Sequence, residues 1–293
     1  MDIVITYVDG NDPVWKADYE KFTNIPVLEK RFRDWGTLKY LLRGIQVNMP
    51  FIRNVYLVVS HPSQVPSWAD TDNLRIVLHK DIIPAEYLPT FNSTTIEMFL
   101  HRIEGLDEEY IYFNDDIFPV RGCRPEDFFR DGRIVIGFSR HILVSGMYKK
   151  HCRRADHMAR KALGMKPGLC FVRGQHICTP MLRSQCEEAS ALLEKDIAAT
   201  LSRVRNDGNV NQHMFLDYMY YKGMAVPERI SSRHFSLAVA GVRTLSSFLD
   251  NPSRTMCCIN DVKIPEKTYL PLRESLLAAF ERRFPEKSRF EKA

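Results

Sequence analysis

The stretch Glu109-Tyr110-Ile111-Tyr112-Phe113-Asn114-Asp115-Asp116 gives the clearest indication of how this chain folds. Its apolar residues are typical of a buried strand, and the strand ends abruptly at three polar residues. Ligands bind at the carboxyl ends of strands in open α/β sheets. Two adjacent carboxylates there offer hard oxygen ligands, which suit a divalent cation that carries a diphosphate. A simple helix or turn cap explains the same two aspartates equally well.

Strand-like and helix-like segments alternate through the first half of the chain. Strands are predicted over residues 3–8, 54–60, 74–78, 110–113 and 133–138, and helices over residues 38–45 and 96–106. This alternation predicts an α/β fold that is Rossmann-like, with a mainly parallel sheet flanked by helices. Further helices are predicted over residues 176–195, 210–222 and 268–284. We expect them to form a helical C-terminal part over the ligand edge of the sheet.

The chain shows neither a low-complexity linker nor an internal repeat, so the sequence predicts a single domain over residues 1–293. Within it we expect two parts. Residues 1–145 are the α/β part, and residues 146–293 are the helical part that completes the site.

Composition narrows the class of protein. A net charge of +5 suits an anionic small substrate or an anionic surface, and it is weak evidence for nucleic acid as a partner. The sequence has no apolar run long enough to span a bilayer and no evident signal peptide. Its seven cysteines lack a repeated metal-ligand spacing, which predicts reduced thiols and a cytoplasmic location.

The motif Asp9-Gly10-Asn11-Asp12 follows the first predicted strand, where nucleotides commonly bind in doubly wound folds. It lacks the glycine-rich pattern of dinucleotide and P-loop sites. An Asx turn explains the motif by itself, and on these residues alone that explanation is favoured.

Four other positions hold residue types that could carry chemistry. Glu97 and Arg102 precede the acidic strand end, although a solvated helix surface would also place polar residues there. His176 is the residue best suited to accept a proton near neutral pH, while a structural histidine is the alternative. Arg205 alternates with Arg203, and a guanidinium there would clamp phosphate oxygens unless both are solvated surface residues.

A second Asn-Asp pair, Asn260-Asp261, follows the apolar stretch 256–259 and repeats the pattern of Asn114-Asp115. Spacing alone does not show whether the two pairs hold one ion.

Four ordered blocks of sequence together resemble the Stealth family of sugar-phosphate transferases. That family includes bacterial capsule and cell-surface polysaccharide phosphotransferases and the catalytic subunit of eukaryotic GlcNAc-1-phosphotransferase. The blocks are residues 2–13, 33–116, 176–205 and 258–291. The second block contains Pro50-Phe51-Ile52-Arg53-Asn54, Pro66-Ser67-Trp68 and His101-Arg102-Ile103-Glu104-Gly105-Leu106. The fourth block ends in Phe284-Pro285-Glu286-Lys287-Ser288-Arg289-Phe290-Glu291. The match spans nearly the whole chain, and its second block is specific by itself.

The resemblance implies transfer of a hexose-1-phosphate, by expectation an N-acetylhexosamine-1-phosphate, from a UDP-sugar to a sugar hydroxyl of a glycan acceptor. The product is a phosphodiester, UMP leaves, and the pathway is bacterial capsule or cell-surface polysaccharide synthesis. A metal-dependent glycosyltransferase that releases UDP and a non-catalytic sugar-nucleotide-binding module are the alternatives.

The resemblance implies that residues 1–145 bind the nucleotide sugar and that residues 146–293 form the acceptor and catalytic part. It also implies roles for single residues. His176 would be the general base, and Arg205 would hold the transferring phosphate. Glu97 would orient the acceptor or a metal-bound water. The alternative is that Asp116 is the base and His176 is the metal ligand. Asp115, Asp116 and Asp261 would bind Mg²⁺ or Mn²⁺. The substrate-binding residues would be Asp9, Gly10, Asn11, Asp12, Arg33, Asp34, Arg102 and Asn114.

We expect a cytoplasmic protein whose partners are the UDP-sugar and the glycan, without nucleic acid. The basic C-terminal residues are compatible with peripheral association at the inner membrane face, although a solvated helix explains their mixed charges better. The oligomeric state is left open.

Overall fold

The computed structural model describes residues 1–24, 32–260 and 264–292. In this part of the chain the strands are β1 Asp2–Thr6, β2 Asn54–Val59, β3 Leu74–Leu78, β4 Glu109–Asn114, β5 Ile117–Pro119, β6 Phe129–Arg130, β7 Arg133–Val135, β8 Phe138–His141, β9 Phe171–Gly174, β10 Thr179–Leu182, β11 Ala225–Val226, β12 Ser232–Ser236 and β13 Met256–Asn260. The α-helices are α1 Pro13–Phe22, α2 Leu38–Asn48, α3 His79–Ile82, α4 Ser93–Glu97, α5 Gly146–Ala162, α6 Arg183–Leu192, α7 Glu194–Ala198, α8 His213–Tyr221, α9 Leu237–Asp250 and α10 Glu266–Arg283. Short 3₁₀ turns cover Pro62–Gln64, Ala85–Tyr87, Leu100–Arg102 and Pro125–Asp127.

The central sheet has five strands in the order β10-β4-β1-β2-β3 and is mainly parallel, with β10 antiparallel to β4. The apolar residues of β4, Tyr110 to Phe113, are at most 2% exposed. Burying a side chain of that size contributes roughly 2 kcal/mol through removal of apolar surface from water. The predicted α/β class with a mainly parallel sheet is thus confirmed, and β4 is the strand that the sequence indicated.

The described chain forms two compact units, each assembled from three separated segments. Unit 1 comprises Met1–Val4, Val77–Tyr112 and Pro125–Ile230. Its α5 packs against α8 and β9, and β8 pairs with β9 in an antiparallel ladder from Phe138↔Gly174 to His141↔Phe171. A small sheet in the order β11-β7-β6 completes it.

Unit 2 comprises Ile5–Ile76, Phe113–Arg124 and Ser231–Ala293. The sheet β12-β13-β5 lies in this unit, and α2 packs against β5. The C-terminal segment is held by Arg43 of α2, whose guanidinium donates to both carboxylate oxygens of Glu291 at 2.8 and 2.9 Å. The predicted division at residue 145 into a nucleotide-sugar part and an acceptor part stays a prediction.

The structure differs from the sequence-based elements in two places near the candidate residues. The helix predicted over residues 176–195 is instead the strand β10 followed by α6. All four β10 residues are buried, and a fully buried apolar run does not distinguish strand from helix by periodicity. The helix predicted over residues 96–106 ends at Glu97, and Gly105 takes a φ of 73°, which a helix does not accommodate.

Candidate functional site

Glu97 and Arg205 lie together in unit 1 although they belong to different parts of the sequence. Glu97 ends α4, is 9% exposed, and accepts the backbone N–H of Gln212 at 3.1 Å. Burial raises the pKa of its carboxyl to about 7, against the opposing influence of the Arg205 charge and of hydrogen bonds from Gln212 and Ser93. Arg205 donates to the hydroxyl of Ser93. A carboxyl that titrates near neutrality therefore lies beside a guanidinium.

The loop that carries Arg205 is fixed by a buried amide network. The side-chain N–H₂ of Asn92 donates to Asn209 Oδ1 at 3.1 Å and to the carbonyl of Ser202 at 3.2 Å. Asn209 in turn donates to the carbonyl of Thr200 at 2.6 Å. Asn92 also caps α4 by accepting from Thr94 N. Because the same side chain caps α4 and holds the loop, Glu97 and Arg205 are positioned by one residue.

His176 is exposed and lies on the turn between β9 and β10, where the sequence predicted the start of a helix. The turn is anchored by its buried neighbour Gln175, which donates to the carbonyl of Ile230 at 2.8 Å and accepts from its N–H at 3.0 Å. The ring of Tyr148 meets the imidazole edge-to-face, with ring centroids 5.8 Å apart. His176 therefore has a fixed backbone and an accessible imidazole.

Tyr148 also joins a second, buried histidine. Its hydroxyl is 2.8 Å from Nε2 of His213 on α8. Burial lowers the pKa of His213 to about 3, with the nearby His176 and Arg173 acting in the same direction. The neutral His213 ring is thus a structural partner of Tyr148, and the group that remains accessible is His176.

The other basic candidates of unit 1 lie at the surface. Arg102 is exposed on a 3₁₀ turn with its guanidinium over the Phe99 ring, 5.4 Å from the centroid. Arg203 is exposed and donates to the carbonyl of Leu88 at 3.1 Å. Their partners differ from those of Arg205, although Arg203 and Arg205 are only two residues apart.

In unit 2, Asn114 is the last residue of β4, and Asp115 and Asp116 form the connection from β4 to β5. The backbone carbonyl of Asp116 accepts from Ile259 N at 2.9 Å, which attaches the turn to β13. Cys258 Sγ donates to Asp116 Oδ2 at 3.6 Å. Burial and the Asp116 charge raise the pKa of the Cys258 thiol well above its usual range. The cysteine is therefore a neutral donor at physiological pH, and the hard ligand atoms here are carboxylate oxygens.

Several further carboxylates of unit 2 surround Tyr7. Burial and then the charges of Asp34, Asp9 and Asp115 raise the pKa of the Tyr7 hydroxyl, which also hydrogen bonds to Asp34. Burial, with the Asp9 charge, raises the pKa of Asp34 despite the opposing Gly36 N–H and Arg273 charge. Negative charge is thus concentrated near Tyr7, and a bound cation would relieve that repulsion.

The motif Asp9 to Asp12 has a clear local structural role. Asp12 caps α1 by accepting Trp15 N at 2.7 Å, with Pro13 at the first helical position. Asp9 Oδ1 accepts Asn11 N at 2.8 Å, which is the Asx turn considered from the sequence. Gly10 N donates to the carbonyl of Phe32 at 2.8 Å, and a Cβ on Gly10 would lie 2.4 Å from that oxygen. The backbone requires glycine there.

Arg33 and Asp34 are held by Tyr269 of α10. The Arg33 guanidinium lies over the Tyr269 ring, 4.3 Å from its centroid, and the Tyr269 hydroxyl donates to the carbonyl of Asp34 at 2.5 Å. Asp34 Oδ1 accepts Gly36 N at 2.9 Å. Asp261, the remaining metal candidate, lies outside the described residues.

Sequence reasoning missed Ser93, Tyr148, Gln212 and Tyr7. Only Ser93 carried a signal, since Asn92-Ser93-Thr94 precedes a helix as a capping residue does. The other three carry no local sequence signal of their own, and tertiary packing alone gives them a place beside the candidates.

No helix in the described ranges is long and apolar enough to cross a bilayer. All seven cysteines lie within the described residues and outside any disulfide.

Comparison with known proteins gives the family. Residues 31–135 match the model of Stealth protein CR2, conserved region 2. The capsular polysaccharide phosphotransferase WcwK of Streptococcus pneumoniae is 31% identical, with 99% of both chains covered. The receptor polysaccharide phosphotransferase WefC of Streptococcus oralis is 30% identical over the same shares. Among solved structures, the chain is similar to the galactosyltransferase LgtC in complex with donor and acceptor sugar analogues. The match covers 95% of each chain, with 11% identity and a TM-score of 0.45. The family assignment does not rest on this match. On its full-length similarity to these two transferases, the chain belongs to the Stealth family.

Proposed function

We propose that this protein transfers a hexose-1-phosphate, by expectation an N-acetylhexosamine-1-phosphate, from a UDP-sugar to a hydroxyl of a glycan acceptor, releasing UMP. The relatives named as capsular and receptor polysaccharide phosphotransferases support phosphate chemistry on a cell-surface polysaccharide. The observation that carries the proposal is the fixed pair of Arg205 and the buried Glu97, because it combines a phosphate-binding cation with a group that changes charge near neutral pH.

In the proposed reaction the acceptor oxygen attacks the β-phosphorus in line. The new bond joins that oxygen to the β-phosphorus, the bond from the β-phosphorus to the bridging oxygen breaks, and UMP leaves with the electron pair. Such a transfer depends on alignment and on neutralised charge more than on covalent help from the protein. Arg205 would hold the phosphate oxygens, and its donation to Ser93 favours one orientation of the planar guanidinium.

The acceptor hydroxyl must lose a proton, and we propose that His176 takes it. Its imidazole is accessible on a turn anchored by Gln175, and an imidazole nitrogen is the side-chain group most often used to accept such a proton. Because its pKa is about 7, Glu97 would be present in both protonation states near neutral pH. Its carboxyl would orient the acceptor, and its charged form would balance the charge of Arg205.

We further propose that Asp115 and Asp116, with Asp261 as a sequence-based candidate, hold Mg²⁺ or Mn²⁺. The residues fit such an ion: their ligand atoms are carboxylate oxygens, Cys258 remains a thiol, and the charges of Asp34, Asp9 and Asp115 all act on Tyr7. A divalent cation supplies charge neutralisation for a diphosphate. Asp9, Gly10, Asn11, Asp12, Arg33, Asp34, Arg102 and Asn114 remain proposed substrate-binding residues.

The test is a screen of UDP-sugars with the purified protein, Mg²⁺ and acceptor glycans, with the released nucleotide identified by mass spectrometry. Acceptor-dependent UMP and a product heavier by one sugar phosphate would support the proposal. UDP release with a phosphorus-free product would instead indicate glycosyl transfer. The Arg205→Lys protein, run beside Arg203→Lys, checks that the measured turnover comes from this site.

A further inference from the structure

Unit 1 contains a strongly basic stretch whose lysines and arginines the proposed transfer chemistry does not use. Residues 132–185 include eleven Lys or Arg residues and one acidic residue, Asp156. That aspartate is fully buried, where it accepts Arg160 Nε at 2.9 Å and Val172 N at 2.9 Å. Lys150 and Lys161 pair with Asp207 and Asp196, but Arg140 and Lys166 are exposed. The exposed charge of this stretch is therefore positive.

Large apolar side chains are exposed in the same stretch. Ile142 is 63% exposed, Leu143 is 79% exposed, Met165 is 39% exposed and Leu169 is 88% exposed. Ile142 and Leu143 leave β8 at the same end of the β8–β9 ladder at which Leu169 enters β9, because His141 pairs with Phe171. We call these four side chains, together with Arg140 and Lys166, the 142/169 surface.

A cleft of about 530 Å³ lies beside it, lined by residues that include Arg140, Leu169, Tyr220 and Tyr221. Tyrosine rings combine an apolar body with a polar hydroxyl, which suits the boundary between water and hydrocarbon. Arg140 and Leu169 thus connect the exposed end of the β8–β9 ladder with this cleft.

We propose that the 142/169 surface docks this protein on an anionic lipid bilayer. The aliphatic tips enter the headgroup boundary, and Arg140 and Lys166 face the lipid phosphates. A second copy of the chain fits less well, because two such surfaces would bring like charges together. The C-terminal bases considered from the sequence are less suited, since Arg283 donates to the carbonyl of Val120 and Arg289 to that of Arg53. The proposal does not depend on the transfer reaction.

The test is sedimentation of the full chain with vesicles, without any substrate. Vesicles of phosphatidylcholine with about 40% phosphatidylglycerol are compared with pure phosphatidylcholine at about 0.1 M salt. We expect binding only to the anionic vesicles and release at about 1 M salt. Leu143→Asn with Leu169→Asn should weaken partitioning about tenfold or more. Arg140→Gln and Lys166→Gln should each weaken it about fivefold.

The matched control is Val239→Asn with Leu270→Asn, which removes two aliphatic side chains that are 85% and 62% exposed in unit 2. It should bind vesicles as the wild type does. The proposal is overturned if the wild type ignores anionic vesicles, if the Leu143/Leu169 variant binds undiminished, or if the control loses as much binding. It is equally overturned if wild-type dimers, seen by analytical ultracentrifugation, disappear in the Leu143/Leu169 variant while vesicle binding persists.

Discussion

Glu97 and Arg205 both hydrogen bond to the hydroxyl of Ser93, which accepts from the guanidinium and donates to the carboxylate. One hydroxyl therefore fixes the relative position of a cation and a titrating acid. The backbone N–H of Gln212 adds a second bond to Glu97. Burial raises the pKa of the Glu97 carboxyl to about 7, and the Arg205 charge and these two hydrogen bonds oppose that rise.

The role of the Arg205 guanidinium can be tested against the same substitution at Arg203. Arg205→Lys should lower the transfer rate about 10²-fold or more, because an ammonium group cannot replace two parallel N–H donors to phosphate. Arg203→Lys should stay within about threefold of wild type, since Arg203 is exposed and donates to a backbone carbonyl. Steady-state rates of UMP release measure both. Equal losses in the two variants would remove Arg205 from its proposed role.

Glu97→Gln tests the titration of the buried carboxyl. Its folded pKa of about 7 lies above the ordinary glutamate pKa of 4.5, so the stability that its protonation contributes is complete below pH 4.5 and is lost as the pH rises through 7. The wild type should therefore lose on the order of 1 kcal/mol more than Glu97→Gln between pH 6 and pH 8. Urea unfolding at the two pH values measures this difference. Parallel pH profiles for both proteins would show that Glu97 does not titrate in that range.

His176→Ala should reduce the transfer rate at least about 10²-fold if the imidazole accepts the acceptor proton. Added imidazole should restore part of that activity. Tyr148→Phe is the comparison, because it retains the ring against His176 and removes only the hydroxyl bonded to His213. It should keep the rate within about fivefold. A loss below about tenfold in His176→Ala would leave the histidine as a structural residue.

Asp116→Asn should weaken Mn²⁺ binding by about tenfold or more, measured by electron paramagnetic resonance without substrate, because the variant loses a charged oxygen ligand. Asp12→Asn is a suitable control, since Asp12 is engaged as the cap of α1 and asparagine caps equally well. The control should bind Mn²⁺ as the wild type does. Unchanged Mn²⁺ affinity in Asp116→Asn would exclude this aspartate as a ligand.

The Arg43–Glu291 pair should dominate the attachment of the C-terminal segment in unit 2. Both side chains are 6% exposed. Burial by itself would raise the pKa of Glu291, but the hydrogen bonds from Arg43 and Ser288 outweigh it and lower the pKa. Its stabilisation is therefore present above the ordinary glutamate pKa and is lost as the pH falls through the lowered value. Glu291→Gln should cost roughly 3 kcal/mol at pH 7, measured by urea unfolding.

The matched variant for that pair is Arg43→Met with Glu291→Met. Removing both partners leaves no buried charge without a counter-charge, so the double variant should lose less stability than the sum of the single changes. Additive losses would show that the two side chains act independently.

The strands were predictable because their physical signal is local. Strand β3 runs over Leu74–Leu78 as predicted, and β1, β2 and β4 match within about two residues, since continuous β-branched and aromatic residues favour buried strands. The segment Thr179–Leu182 was not predictable in the same way. Its four buried residues form a strand only because β4 lies beside them to receive an antiparallel partner.

In the candidate site, too, some features followed from local sequence signals and others from tertiary contacts. The sequence by itself determined the α/β class, the acidic turn at Asn114-Asp115-Asp116 and the presence of Glu97, His176 and Arg205 as residue types suited to phosphate transfer. Only the tertiary structure decided that Ser93 joins Glu97 to Arg205 and that Asp12 is engaged as a helix cap. It also decided that Arg203 donates to the carbonyl of Leu88, whereas Arg205 donates to Ser93. The reason is that propensity and periodicity act over a few residues, whereas burial and the electrostatic environment that shift a pKa arise only when distant segments pack together.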